Sequence, residues 1–257
     1  MKECIINKHN VVLYDSIDEL PMLRFHKYNK MLLVDAGVGS DLSDFDRHIE
    51  KVIRYLNSPT PNMATVELEN MRQNIYFIQS EVSPRHLAFA VLVKSINGKP
   101  RNDLSDDGLQ QTISLFKDVA NSEITAHLEA VKKKIDDELR LYFPRLFDDA
   151  TLKEYYDKLK QRTIVVLRTI IDGRATEADA KEIDDITAEL ITYFNPQTFT
   201  GSESVEIRHD RQFENMCLIL SQNLHVDPKK FTVLEYYNAF EYIKEQAKKE
   251  NKQKKVK

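Results

Sequence analysis

Two histidines and two aspartates in this sequence could together provide metal chemistry. His209 and Asp210 are neighbours, and a metal-dependent phosphohydrolase combines such a pair with a further histidine upstream and a further aspartate downstream. His127 and Asp227 occupy those relative positions, but nothing in their spacing brings them to the pair. A helix surface with charged side chains explains the same residues, and this is the interpretation we favour.

Residues 103–108 match the first half of a calcium-binding loop. Oxygen-bearing side chains alternate from Asp103, and Gly108 is the sixth residue. The bidentate glutamate that should close such a loop falls at position 114, which is Ser114. We therefore expect the carboxylates to cap the start of a helix, and whether the loop also binds a cation stays open.

Residues 35–41 contain two glycines and could form a nest of backbone amides for an anion. The segment lacks the lysine of a P-loop, and Asp35 and Asp41 would repel a phosphate. We favour a corner between two helices. Since no serine or cysteine stands at a motif spacing from a histidine, the sequence predicts a protein without catalytic, cofactor-binding or metal-binding residues.

The composition favours a helical protein made in the cytoplasm. Of the 257 residues 42% are hydrophobic and 30% are charged, and the six glycines are too few for a Rossmann or P-loop enzyme. Cys4 and Cys217 are too far apart in sequence to indicate a disulfide framework. No run approaches the roughly 18 apolar residues of a membrane span, and the first residues turn polar too soon for a signal peptide.

The charge is unevenly distributed along the chain. Residues 244–257 contain seven lysines and two glutamates and carry a net charge of +5, so residues 1–243 carry −9 within the total of −4. An acidic body argues against general binding to nucleic acid. Contacts with phosphates are therefore expected at most from this lysine-rich tail, which by default is a solvated terminus.

The pattern of apolar residues predicts a mainly α fold of bundle-like helical lobes with a short N-terminal β-hairpin. The hairpin is expected between Cys4 and Tyr14, with a four-residue turn at 7–10, and it is the one convincing strand signal. Residues 1–100 are predicted to form an N-terminal lobe, and residues 101–257 a C-terminal lobe that ends in the basic tail at 244–257. The segment 197–204 is the best linker candidate in the second half.

Several helices in the first lobe have clear boundaries. One should begin at Pro21 and end at Gly37, and the next should be capped by Ser40 or Asp41. A fourth helix opens at Ser83 and should stop at residues 97–100. The second and third helices (the latter at 64–79) contain apolar residues at spacings of mostly three and four: Leu42, Phe45, Ile49, Val52, Ile53 and Leu56, then Val66, Met71, Ile75 and Ile78.

The last helix is the richest in aromatic residues. Thr232 and Glu235 have the spacing of a capping box, so the helix should start at this threonine. At 100° per residue, six apolar or aromatic residues lie on one face of this helix, which a helix from Phe213 could cover. Tyr242 points the opposite way. That face consists of Val233, Tyr236, Tyr237, Phe240, Ile243 and Ala247.

Residues 13–30, continuing to 39–41, and residues 231–237 resemble uncharacterised proteins from the structural gene blocks of tailed bacteriophages, particularly crAss-like phages of gut Bacteroidetes. The resemblance covers about a quarter of the chain and contains no catalytic motif. It implies a neck or head-tail ring component or a tail-assembly factor, located in the host cytoplasm during assembly or in the virion.

The sequence therefore predicts a non-enzymatic structural or assembly protein that binds other phage structural proteins and forms a homo-oligomer. The alternatives are a helical metal-dependent hydrolase, or a nucleic-acid accessory protein that uses the lysine-rich tail. For each aromatic or apolar candidate except Tyr242, burial in the core competes with partner binding. The residues predicted to bind partners are Leu23, Phe25, Tyr28, Tyr236, Tyr237, Phe240 and Tyr242.

Overall fold

The computed structural model describes residues 1–80, 83–147, 150–174, 176–193 and 196–254. The chain is mainly helical with a small antiparallel sheet, which confirms the predicted fold class. None of the helices in these ranges has the length and apolar character needed to cross a membrane. The helices are α1 Met22–Gly37, α2 Leu42–Leu56, α3 Met63–Ser80, α4 Pro84–Leu92, α5 Asp106–Ser114, α6 Asn121–Tyr142, α7 Ala150–Ile171, α8 Glu177–Tyr193, α9 Val205–Leu224 and α10 Val233–Lys254.

The predicted hairpin consists of β1 (Lys2–Ile6) and β2 (His9–Leu13), and its turn is shorter than expected. The two turn residues, Asn7 and Lys8, have positive φ angles of 44° and 67°. Two such residues form the tight turn whose twist matches that of antiparallel strands. The prediction of a four-residue turn was wrong because residues 9 and 10 pair in β2.

The sheet contains two further strands that the sequence was not expected to form, β3 (Val93–Ile96) and β4 (Lys99–Pro100), in the order β1-β2-β3-β4. They are joined by Asn97 and Gly98, whose φ angles of 50° and 76° again suit a tight hairpin turn. The apolar run that predicted a helix up to residue 97 therefore divides into a helix and a strand.

A buried arginine explains where this helix ends. The Arg24 guanidinium, only 5% exposed, donates to the carbonyl oxygens of Val91 (2.7 Å) and Val93 (3.0 Å). The last carbonyls of a helix have no partner within it, so a donor at this point stabilises the termination of α4. The next residue, Val93, has an extended backbone and starts β3.

One hydrophobic core joins the sheet to α1, α4, α6, α9 and α10. Phe89 of α4 is 1% exposed, and its ring lies edge-on to that of Phe116 at 5.7 Å. Ile135 of α6 and Leu220 of α9 lie in the same cluster. Because the core includes residues from both sides of position 100, the predicted lobe boundary does not separate two cores.

Two helical hairpins extend the protein beyond this core. Helices α2 and α3 pack mainly on each other, and α7 and α8 do the same. The segment predicted as a linker helps to attach the first hairpin. Phe199 is 8% exposed in a small cluster with Val34, Val38 and Val205, and Phe77 of α3 packs against this cluster. A Cβ atom on Gly37 would lie 2.2 Å from the Phe199 ring, so glycine makes room for this contact.

Candidate functional site

The aromatic residues predicted to bind partners lie mostly inside the protein. Phe25, Tyr28 and Tyr236 are 4%, 2% and 5% exposed, and Tyr237 and Phe240 are half-buried against the core. Leu23 and Tyr242, at 44% and 56%, are the predicted residues that a partner can reach readily in this conformation. Partner binding by any of the seven residues stays a prediction.

The buried members of this set hold α10 on the body of the protein. The ring centroid of Tyr236 lies 6.0 Å from that of Phe213 on α9, and Tyr237 approaches Phe143 at 5.4 Å. The predicted capping box is confirmed, because the backbone nitrogen of Thr232 donates to Glu235 (2.8 Å) and that of Glu235 to the Thr232 hydroxyl (3.3 Å). Most of the aromatic signal in α10 thus stabilises the fold.

The residues proposed for metal chemistry belong to different contacts. Asp210 accepts from His26 Nε2 at 2.8 Å and from Lys30 Nζ at 2.9 Å, and His209 Nε2 donates to the His26 carbonyl at 3.4 Å. Asp227 accepts from the backbone nitrogen of Lys229 at the start of a short 3-10 helix. Within the described residues no group of three His, Cys, Asp or Glu side chains could hold a metal ion.

The contacts between α1 and α9 instead form a compact ionic and aromatic cluster. The His26 ring stacks between those of His209 and Phe213, with centroids 4.4 and 4.1 Å away. Burial lowers the pKa of His26, and the hydrogen bond to Asp210 opposes this effect. The pKa of Asp210 is lowered: burial acts to raise it, but the hydrogen bonds from Lys30 and His26 outweigh that effect. The arrangement joins α1 to α9.

The acidic segment at 103–108 starts α5, but its N-cap is a hydroxyl and not one of the predicted carboxylates. Asp106 and Asp107 lie in the first turn, where the helix dipole favours their charge. The Ser105 hydroxyl accepts from the backbone nitrogen of Gly108 at 3.2 Å, and Asp103 accepts from the backbone nitrogen of Ser105 at 2.8 Å. At the candidate anion site, residues 35–41, Asp41 caps α2 by accepting from the backbone nitrogen of Asp44. This segment forms the predicted corner between α1 and α2.

A polar network fills the contact between α2 and α3, and sequence reasoning missed it. His48 is fully buried, with Nδ1 at 2.7 Å from a Glu67 carboxylate oxygen and Nε2 at 2.9 Å from the carbonyl of Val38. Asn74 donates to the same carbonyl at 3.1 Å, and Lys51 approaches the other Glu67 oxygen at 3.5 Å. Both ring nitrogens therefore lie within hydrogen-bond distance of oxygen acceptors, and the ring joins Glu67 of α3 to the Val38 carbonyl.

The residues of this network recur in the sequence at the spacing of one helix face. Asp44, His48 and Tyr55 lie on one face of α2, and all three are buried. On α3 the buried face consists of Ala64, Glu67, Asn70 and Asn74, at spacings of three and four. Polar residues that recur with a helical period can therefore form a buried face, just as apolar residues do. The condition is that the neighbouring helix supplies hydrogen-bond partners for them.

The apolar residues of α2 consequently point outward. We define the α2 stripe as Leu42, Ile49, Ile53 and Leu56, which are 70%, 38%, 54% and 60% exposed. A repeat of this kind ordinarily faces the core of a protein. Here the core-facing side is taken by the charged and amide groups, so the stripe is left on the surface.

The second hairpin carries a comparable surface on α7. We define the α7 stripe as Tyr156, Ile164, Leu167, Ile170 and Ile171, which are 58%, 56%, 51%, 67% and 82% exposed. Val165, on another face of the helix, is 3% exposed, and Ile186 of α8 is 5% exposed. Each hairpin therefore buries one face and exposes an apolar one.

A cavity of about 850 Å³ lies between the two hairpins. It is lined from α2 by Lys51, Arg54 and Tyr55, and from α7 by Leu159 and Arg162. Its charged groups are already engaged in part, since Lys51 approaches Glu67 and Arg162 Nε donates to Thr187 at 2.8 Å. The cavity thus separates the hairpins and shows which side of each helix faces inward.

The lysine-rich tail is only partly described. Lys248 and Lys249 lie on the exposed end of α10, whereas residues 255–257 lie outside the described ranges. A role in binding nucleic acid stays a prediction.

No protein-family model, curated protein or solved structure matches the chain. Function therefore has to be inferred from the surfaces themselves.

Proposed function

We propose that this protein is a non-enzymatic structural or assembly protein of a tailed phage and that it acts by binding other phage structural proteins. The observation that carries the proposal is the pair of exposed apolar stripes, one on each helical hairpin. The phage context comes from the resemblance of residues 13–30, 39–41 and 231–237 to proteins from phage structural gene blocks.

The energetics of the stripes support protein contacts. Burying a large aliphatic side chain that would otherwise be exposed is worth about 1.5 to 3 kcal/mol. The two stripes together expose nine large apolar side chains, each by more than a third of its surface. Monomeric proteins rarely expose contiguous apolar patches larger than a few hundred Å², and larger ones mark interaction sites. A partner that covers these helices therefore gains substantial free energy.

The architecture supports the same conclusion. A single core holds α1, α4, α6, α9 and α10, and the hairpins project from it as separate units. Such a body presents two surfaces at defined positions, which suits a subunit that joins neighbours in an assembly. Two of the candidate metal residues, Asp210 and Asp227, make ion pairs and hydrogen bonds that stabilise the fold.

Quantitative mass spectrometry of purified particles and of assembly intermediates tests the proposal. We expect the protein at a fixed copy number per particle in at least one of these fractions, well above the level of host proteins that contaminate the same preparation. A structural subunit is expected in finished particles, and an assembly factor in intermediates alone. Absence of the protein from both fractions would contradict the proposed function.

A further inference from the structure

We propose that copies of this chain associate head to tail, with the α2 stripe of one copy packed on the α7 stripe of the next. The inference deepens the proposed function, because it names a second copy of the chain as the partner that covers these surfaces.

The two stripes match in length and form. The α2 stripe extends from Leu42 to Leu56 and the α7 stripe from Tyr156 to Ile171, which at 1.5 Å per residue corresponds to about 21 and 22 Å. Ile164, Leu167 and Ile171 on α7 recur at steps of three and four, as do Ile49, Ile53 and Leu56 on α2, and this is the spacing by which one helix packs along another. Each stripe is thus a surface for one helix of similar length.

The stripes cannot cover each other within one chain. On α2 the side chains that line the cavity, Lys51, Arg54 and Tyr55, lie about 140° around the helix from the stripe, at 100° per residue. On α7 the corresponding angle between the cavity residues and the stripe is about 120°. Because the cavity lies between the hairpins, both stripes face away from it, and a contact between them requires two molecules.

The charges favour a contact between unlike stripes. Lys160 is exposed and, at 100° per residue, lies on the same face of α7 as the α7 stripe. Asp46 and Glu50 are exposed along one edge of the α2 stripe. An antiparallel two-fold contact between two α2 stripes would place these acidic edges against each other, and one between two α7 stripes would bury two copies of Lys160. Packing α2 on α7 instead brings Lys160 towards the carboxylates.

A contact between two different surfaces has a predictable consequence for assembly. Each copy still has one free stripe after the first contact, so the chain continues to add copies until the assembly closes into a ring or grows as an open filament. The inference therefore predicts oligomers larger than a dimer.

Sedimentation velocity of the full chain and of two double variants tests this contact. The α2 variant carries Ile49→Asp and Ile53→Asp, and the α7 variant carries Leu167→Asp and Ile170→Asp. The wild-type protein is expected to form species of at least three chains of 30.0 kDa in a concentration-dependent manner, and each variant alone to be monomeric. An equimolar mixture of the two variants should form a dimer and nothing larger, since only one intact pair of stripes remains.

Leu141→Asp is the matched control, because Leu141 is 76% exposed on α6 outside both stripes and its substitution should leave the oligomers unchanged. Circular dichroism with thermal unfolding checks that every variant is folded. A charge test sharpens the result: Lys160→Glu should weaken self-association about fivefold, and adding Asp46→Lys should restore it.

Three results would overturn the inference: a wild-type chain that is monomeric up to several hundred micromolar, a folded double variant that still dimerises alone, or a mixture of the variants that stays monomeric. Failure of the proposed function is recognised separately. If the protein self-associates as described but is absent from particles and intermediates, the contact between the stripes is supported and the phage role is contradicted. If it is monomeric but present at a fixed copy number in particles, the phage role is supported and the contact is contradicted.

Discussion

The central core and the α2–α3 hairpin bury opposite types of side chain between their helices. In the core, apolar residues such as Phe89, Ile135 and Leu220 are turned inward and are at most 1% exposed. In the hairpin, His48, Glu67 and Asn74 are turned inward at 0%, 2% and 0% exposure, and the apolar residues point outward. The apolar pattern of a helix therefore identifies its amphipathic character, but not which face the folded chain buries.

The difference has an energetic consequence. Apolar burial stabilises the core without directional requirements, whereas a buried polar contact contributes only if its hydrogen bonds are complete. The His48 ring meets this condition through Glu67 and the Val38 carbonyl. The hairpin thus gains a defined geometry from its polar contact and keeps its apolar surface free for a partner.

The largest expected effect lies in the core. Phe89→Ala removes a ring that is 1% exposed and packed on Phe116, so it should lower the free energy of unfolding by about 4 kcal/mol. Leu141→Ala, at a side chain that is 76% exposed, should change it by less than about 0.5 kcal/mol. Denaturant unfolding of both variants checks this. A small loss for Phe89→Ala would show that α4 is not central to the core.

The polar contact of the hairpin should behave differently from the core. Glu67→Leu leaves His48 buried without its carboxylate, and we expect a loss of about 3 kcal/mol in the free energy of unfolding. Combining it with His48→Leu removes both polar groups, so the double variant should be more stable than Glu67→Leu alone. A double variant whose loss equals the sum of the two single losses would show that the groups do not interact.

The cluster between α1 and α9 gives a weaker effect that depends on pH. Because burial keeps the pKa of His26 below about 6.5, the unfolded chain takes up a proton first as the pH falls, and the folded state loses stability below that pH. Asp210 holds its charge to lower pH, since its own pKa is lowered by Lys30 and His26.

His26→Gln should therefore flatten the pH dependence of stability between pH 7.5 and about 5.5. The measurement is denaturant unfolding at several pH values in parallel for both proteins. If the free energy of unfolding of the variant falls as steeply with decreasing pH as that of the wild type, groups other than His26 cause the pH dependence.

The reliability of the sequence reasoning follows the same division between regions. The helices, the Asp41 and Thr232 caps and the buried face of α10 were predictable, because local hydrogen bonds and apolar periodicity determine them. The end of α4 was not, since Arg24 reaches its carbonyls from a helix 67 residues away in sequence. The Asn97-Gly98 turn, by contrast, is a local hairpin signal in the sequence, because both residues adopt the positive φ angles of a tight turn.

The candidate surfaces were predicted less well than the fold. The outward direction of the α2 stripe depends on matching polar groups in α3, which are recognised only when the two helices are paired. Conversely, Phe25 and Tyr28 were candidates for partner binding, but both are buried in the central core. The Phe25 ring lies 6.5 Å from that of Tyr237, a contact over a long sequence distance.

The central claim is that α2 buries its polar face and exposes its apolar stripe. The most direct test compares one substitution at two isoleucines, Ile53→Ser in the stripe and Ile135→Ser in the core, by denaturant unfolding at a protein concentration where the chain is monomeric. Ile53 is 54% exposed and should change the free energy of unfolding by less than about 0.5 kcal/mol, whereas Ile135, 1% exposed, should cost about 3 kcal/mol or more. Equal losses for the two substitutions would contradict the outward orientation of the α2 stripe.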